Sequence, residues 1–262
     1  MIHVNRTAKP DILSKNEVAW NKTLADNRAE AINEAAPNHQ QALRNYKNAQ
    51  KHYSDPPIKD ALMLMFGVSV IESKCAYCET SVFSGEKRVN PGKLSVDSND
   101  EAQIEHFYPE DPKGVYWDKV LDWNNLLIVC PPCNQKKSNH FPLDVQGQPL
   151  WIDPTSQDPL QHFVYKVLPN TWEVEILCIS AQGKYVRRTL DLSNRSGLKK
   201  SRDQVIKRCF ALARIYSLTK EAEWIDALKD ECDPKKPFSA FAKAIYDWIQ
   251  QAMMANLSRS TQ

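Results

Sequence analysis

Two C-x2-C units, Cys75-Ala-Tyr-Cys78 and Cys130-Pro-Pro-Cys133, are the strongest chemical signal in the chain. Each offers two thiolates from one tight turn, and two such turns complete a tetrahedral four-sulfur site for Zn²⁺. A closed site of that kind has no open position for water, so it is structural. Positions 79–129 separate the pairs, a longer interval than in a common zinc ribbon, which implies an insertion between the knuckles. A redox reading of either pair lacks the surrounding βαβ pattern. Cys178, Cys209 and Cys232 fall in apolar strand or helix patterns and read as buried small hydrophobes.

The insertion carries Ile104-Glu105-His106-Phe-Tyr-Pro109, then Asp122-Trp-Asn-Asn125-Leu, and it runs into Cys130-Pro-Pro-Cys133-Asn134-Gln-Lys136-Lys137. A neutral imidazole accepts a proton from water near pH 7, which suits His106 to general-base work. Glu105 and Asn134 offer hard oxygens that suit Mg²⁺ or Mn²⁺ and leave coordination positions for water and phosphate. Taken singly these residues say little. A Glu-His pair in a strand is ordinarily just polar, and Asn134 behind Cys133 also reads as a helix cap. Their order inside a zinc frame gives them weight.

That order resembles the HNH (ββα-metal) endonuclease motif in its zinc-knuckle form: acidic-His-x-x-Pro, then Asn-Leu, then Cys-x-x-Cys-Asn-x-x-Lys. Softer matches extend from about residue 55 through most of the chain. Tyr116-Trp117, Trp123-Asn-Asn-Leu, Phe141-Pro-Leu143, Trp151-Ile-Asp-Pro154, Asp158-Pro, His162-Phe163 and Leu192-Ser-Asn-Arg195 are similar to the HNH subunit of Septu and retron-associated antiviral defence. The resemblance implies that Glu105 and Asn134 take the metal positions and that Asn125 orients the loop and the histidine. It also implies that Lys136 or Lys137 contacts phosphate. It further implies a defence role beside an ABC-type ATPase subunit. A DNase is expected before an RNase, although a ββα-metal site can address either DNA or an RNA such as tRNA. Two departures stand out: Glu105 replaces the usual Asp, and Asn134 replaces the final histidine. Ser138 cannot serve as a second histidine. His140, six helical residues past Asn134, would be turned about 240° away and reads as a substrate contact or a bystander. The contrasting reading is a non-catalytic zinc-knuckle module that binds nucleic acid or a partner.

These residues need elements to hold them. Ser14-Lys-Asn-Glu17 has the form of a capping box opening a helix to about Glu34, and Asn38 caps a second to about Tyr53. Ile58, Ala61, Leu62, Met65 and Phe66 form a helical stripe of core character. Residues 84–100 are polar and turn-rich and read as a loop. Strands are expected over 102–107 and 125–129, with a short helix from Asn134. Further strands are expected over 163–168, 171–179 and 184–189, then helices over 198–217, 219–230 and 238–257. The fold class is therefore α+β. A small ββα-metal core framed by a four-cysteine zinc site occupies 75–150, after a helical region at 1–74. A short β-meander and helices follow over 151–262.

Composition sets the outer limits. The chain has 262 residues, with 42% hydrophobic and 25% charged, an ordinary folded mix. Only 7 glycines disfavour a glycine-looped chain, and seven cysteines cannot close a disulfide framework. No secretory signal opens the chain, and its longest apolar stretch, Ala61–Ile71, is too short for a bilayer. A cytoplasmic protein without membrane contact is expected. The net charge of +2 conceals a strong asymmetry, since 181–215 holds ten basic and two acidic side chains, net +8, against −6 elsewhere. Lys200, Lys207 and Arg214 recur every seven residues along one helix side. They read equally as a solvated face or as a nucleic-acid backbone track.

Overall fold

A computed structural model describes residues 1–84 and 101–260, so most of the loop expected over 84–100 lies outside the described residues. The chain starts with α1 (Asp11–Ile32) packed on α2 (His39–Gln50), whose last turn tightens into a 3₁₀ turn over Lys51–Ser54. The capping box is not used. Pro10 precedes the first turn and its carbonyl accepts from Ser14 N at 3.0 Å, so Ser14 lies inside the helix. Asn38 stands at the start of α2 without a side-chain cap. Helix α3 (Pro56–Phe66) buries Ile58, Leu62, Met65 and Phe66, as the stripe requires.

Among the described residues three antiparallel strand pairs follow. Strands β1 (Glu72–Lys74) and β2 (Ser81–Phe83) flank the first cysteine knuckle. Strand β3 (Gln103–His106) pairs with β4 (Leu126–Val129), placing Glu105 opposite Leu127 and His106 opposite Leu126. All four β4 residues are buried, because α3 covers the hairpin and both faces of the strand meet protein. Helix α4 (Pro131–Lys137) then packs back on β3, completing a ββα unit. The third hairpin joins β5 (Phe163–Leu168) and β6 (Glu173–Cys178).

The expected strand over 184–189 is instead helix α5 (Ala181–Thr189). Its buried positions Gly183 and Val186, with Leu190 just past its end, recur at three and four residues, and Ser180 caps it by accepting from Gly183 N at 3.0 Å. Helices α6 (Ser196–Thr219), α7 (Ala222–Asp230) and α8 (Ser239–Ser260) complete an α+β fold. One apolar cluster runs from Met1 to Ile249 and takes in residues of every helix and of strands β2 to β6. Cys209 is buried in it, whereas Cys178 and Cys232 are only half-buried, a correction to the expected core role. Among the described residues no helix is long and apolar enough to cross a membrane.

Candidate functional site

Backbone turns bring the four knuckle cysteines together. Cys75 N donates to Thr80 O at 2.9 Å, and Glu79, at φ +62, turns the chain after Cys78. Cys133 N and Asn134 N both donate to Cys130 O at 3.0 Å, while Ala76 N reaches Ile128 O at 2.8 Å and ties the first knuckle to β4. The four sulfurs lie within 4.8 Å of one another, all buried and none in a disulfide. Cys78 Sγ and Cys130 Sγ are 3.7 Å apart, close to the edge of roughly 3.8 Å that a tetrahedron of 2.3 Å Zn–S bonds requires. Among the described residues this is the one cluster of His, Cys, Asp and Glu fit to hold a metal ion, and its donor set fits zinc. Arg195 donates to Cys133 Sγ from both Nη1 (3.5 Å) and Nη2 (3.6 Å). Burial opposes the Arg195 charge, but the neighbouring thiols outweigh it and raise its pKa. A guanidinium there offsets part of the double negative charge of a Zn–thiolate cluster.

Inside that frame His106 is 5% exposed. Its Nε2 is 2.9 Å from Val120 O, so Nε2 carries the proton and Nδ1 is left as the acceptor. Burial lowers its pKa to about 4, with the Val120 hydrogen bond opposing, which keeps the imidazole neutral at pH 7. The N-terminal region braces it: the Tyr53 ring meets the imidazole edge-on at 4.5 Å. Glu110, absent from the sequence expectations, brings Oε2 to 3.3 Å from Nδ1 and is itself held by Gln50 Nε2 at 3.1 Å. Burial raises the Glu110 pKa against that hydrogen bond. Its only signal in the sequence is its place four residues after His106.

Asn125 is 1% exposed and clamps the loop after His106. Its amide nitrogen donates to Tyr108 O (3.0 Å) and Lys119 O (2.9 Å), while its oxygen accepts from Tyr108 N (2.6 Å). Asn134 lies within α4, not at its cap, and donates to Gln103 Oε1 at 2.9 Å. It forms part of a cleft of about 560 Å³ lined also by Tyr53, Lys59, Gln103 and Ile104.

Gln103 and Glu105 share one face of β3, and that face meets α4. Glu105 is almost fully buried and salt-bridged to Lys137, whose Nζ also donates to His106 O at 2.7 Å. Burial pushes the Glu105 carboxyl up to about 7, although Lys137 pulls it down. Lys137 is therefore not a phosphate contact. It is wholly buried, with its ammonium over the Trp151 ring at 5.8 Å, because the sharp turn at Ser138 (φ +45) ends α4 with this side chain against the core. Lys136, one position earlier, is exposed. The helix stops before His140, so the rotation expected for that residue does not arise. His140 is exposed, its amide bonded to Lys137 O at 3.0 Å and its ring 6.4 Å from Tyr185. Lys200, Lys207 and Arg214 are all exposed on α6. The other histidines hold local partners: His52 pairs with Asp55 at 3.0 Å and His162 with Ser180 at 2.8 Å.

No family model matches the chain, and no solved structure does. It is similar to Septu protein PtuB of Bacillus mycoides (strain KBAB4), 29% identical over 190 residues, which is 63% of this chain and 55% of that protein. To Septu protein PtuB of Bacillus thuringiensis it is 33% identical over 131 residues, 50% of this chain and 40% of the relative. Septu protein PtuA of Bacillus mycoides (strain KBAB4) is 24% identical over 208 residues, 72% of this chain but 27% of that protein. The chain spans about half the length of the PtuB relatives it matches, and its homologues are Septu proteins.

Proposed function

We propose that the protein is a metal-dependent HNH endonuclease acting in anti-phage defence, with DNA as its substrate and an ABC-type ATPase subunit as its partner. The observation that carries the reading is the state of His106. It is a neutral, buried imidazole with its tautomer set by Val120 O and its Nδ1 facing Glu110, all within a frame of four cysteines. The similarity to both PtuB and PtuA supports a multi-subunit defence assembly.

In this reading Glu110 gives up its place at His106 Nδ1 to the attacking water, and Nδ1 takes that water's proton while Nε2 keeps its bond to Val120 O. Asn125 holds the loop that carries that carbonyl. Glu105 and Asn134 have the hard oxygens that fit Mg²⁺ or Mn²⁺, and they would hold it between β3 and α4. When bound, such an ion supplies charge stabilisation at the phosphoryl and leaving oxygens. Lys137 must then share or cede the Glu105 carboxylate. In the same reading Lys136 and the exposed cations of α6 meet the phosphates.

The test is incubation of the protein, alone and with an ATPase subunit, with plasmid, single-stranded DNA and tRNA in Mg²⁺ and in EDTA. Cleavage in Mg²⁺ that falls at least ~10²-fold in His106→Ala is expected, the low end for loss of a general base. Cleavage that is unchanged in His106→Ala or persists in EDTA would sink the assignment. A second reading, a non-catalytic zinc-knuckle binding module, is favoured by one observation: Lys137 already neutralises Glu105. It requires that no substrate is cut under any of these conditions.

A further inference from the structure

We propose that the groove between the tip of the β5–β6 hairpin and helices α6 and α8 receives an unpaired base of a single-stranded nucleic acid. The base would lie at the end of a phosphate track along α6. The proposal rests on the nucleic-acid part of the reading above and not on cleavage.

The groove encloses about 320 Å³ and is walled by Trp172, Phe210, Tyr216, Trp248 and Met253, with Arg214 and Lys220 also lining it. Among the described residues no acidic side chain lines it. Its aromatic rings are staggered at right-angle-like contacts: Trp172 meets Phe210 at 5.3 Å and 64°, and Phe210 meets Trp248 at 6.1 Å and 67°. That leaves ring surface uncovered, and Trp172 is 41% exposed. Trp172 also adopts φ +58, a left-handed conformation that a bulky side chain rarely takes. A turn residue strained in this way, with its indole held over an open apolar groove, is an outlier of the sort that collects at ligand sites.

Charge selects the occupant. Arg214 belongs both to this groove and to the series Lys200, Lys207, Arg214, whose members follow one another at about 10.5 Å along α6. Asp203 lies between the first two, half-buried, and its charge supports that of the neighbouring Arg202. Lys220 Nζ stands 5.8 Å from the Tyr216 ring at the far end. A row of exposed cations leading to an aromatic slot matches a chain of phosphates carrying flat, stackable bases. Duplex bases are stacked on one another and cannot enter, so the fit is to single strands.

Fluorescence anisotropy with the full 262-residue chain, in buffer with neither added divalent cation nor chelator so that the four-cysteine site is left undisturbed, tests this without the catalytic ion. The probes are labelled dT12, an abasic 12-mer of equal charge, and a 12-bp duplex. The wild type should bind dT12 about tenfold more tightly than the abasic strand, the size of one stacked base. Trp172→Ala should erase that preference and Trp172→Phe should restore most of it. Ala252→Trp, at an exposed α8 position lining the groove, should fill the slot and erase the preference without touching the hairpin turn. Lys200→Gln and Lys207→Gln should weaken dT12 and abasic binding alike and lower the salt slope by about 0.7 per lost phosphate contact. Equal binding of dT12 and the abasic strand by the wild type would overturn the proposal. So would a preference that survives Ala252→Trp, or loss of a co-purifying protein in that variant with dT12 binding unchanged. A base preference in a protein that never cuts would leave the groove assignment standing and remove the nuclease reading. Cutting with no base preference would do the reverse.

Discussion

Lys136 and Lys137 are adjacent and chemically identical, yet the fold gives them opposite work. Lys137 closes α4 with its ammonium on buried Glu105, whereas Lys136 faces solvent. Removing one partner of a buried ion pair strands the other charge, which typically costs about 3–5 kcal/mol. Lys137→Ala should therefore lower urea-unfolding stability by about that amount. Lys136→Ala should stay within about 0.5 kcal/mol while weakening nucleic-acid binding in a salt-dependent way. Equal, small effects on stability would show that Lys137 does not hold Glu105. Asn125→Ala poses the same question for the loop after His106. Two carbonyls and one amide would lose their partner in a buried site, each at a cost of roughly 1–3 kcal/mol where water cannot reach. The expected result is a lower urea midpoint together with slower cleavage. Residue identities of this kind are largely readable from order along the chain, because a Glu-His pair, an Asn and a CxxC-Asn segment keep their register in a short ββα unit. Glu110 is not readable, since only the folding back of the 107–119 loop brings it to His106. The burial of Lys137 is equally hidden, because it depends on the turn at Ser138 that ends α4.

At the scale of elements, helices with an apolar stripe or a heptad of cations are legible, and so are strands bounded by Pro-Asn or by the knuckles. Helix α5 is not, for a definable reason. Gln182-Gly183 looks like a turn and Tyr185-Val186 looks like a strand, but Gly183 is inside the helix. It is glycine because the backbone approaches another element there: an added Cβ would lie 2.4 Å from His162 O. No short-range pattern reports such a contact. Gly183→Ala should thus push α5 away from the hairpin and destabilise the chain by about 1–3 kcal/mol, the usual cost of overpacking. Gly147→Ala, at φ +77 with nothing within 4 Å of an added Cβ, carries only backbone strain and serves as the comparison. Differential scanning calorimetry of the two variants checks the ordering, and a Gly183→Ala protein that melts no lower than Gly147→Ala would contradict it. The N-terminal pair α1 and α2 shows the converse gap. Both are expected as flanking helices, yet Gln50 and the adjoining Tyr53 brace the Glu110–His106 pair, so a region without motif residues helps to build the site.

Across the whole molecule the zinc frame is where distant segments converge. The knuckle after β1, the β4–α4 corner and Arg195 at the head of α6 all meet at the four sulfurs. Glu79, directly after Cys78, pairs with Lys74 at 2.7 Å and accepts from Ser239 Oγ at 3.2 Å, so the start of α8 is fastened to the same knuckle. Burial opposes the Glu79 charge, but Lys74 and the Met1 amine hold its pKa down at about 2. Composition and spacing could announce four ligands, but not that the C-terminal helices hang from them, because the Glu79–Ser239 contact joins residues far apart in the chain. In structural zinc sites the binding free energy is folding free energy, of order 10 kcal/mol or more. Stripping the metal with a strong chelator should therefore do more than loosen one turn. The ββα unit and the α6–α8 region should lose protection together in hydrogen exchange, and the melt should broaden or vanish. Arg195→Ala should give a weaker form of the same result, with faster zinc loss to a chromogenic chelator, since the thiolate charge is then less well offset. Metal analysis should find about one zinc per chain before treatment. A metal-free protein that melts sharply at the original temperature would mean that the four cysteines are ordinary core residues, and the frame on which His106, Glu105 and Asn134 are placed would have to be sought in the packing of α3 on β4 instead.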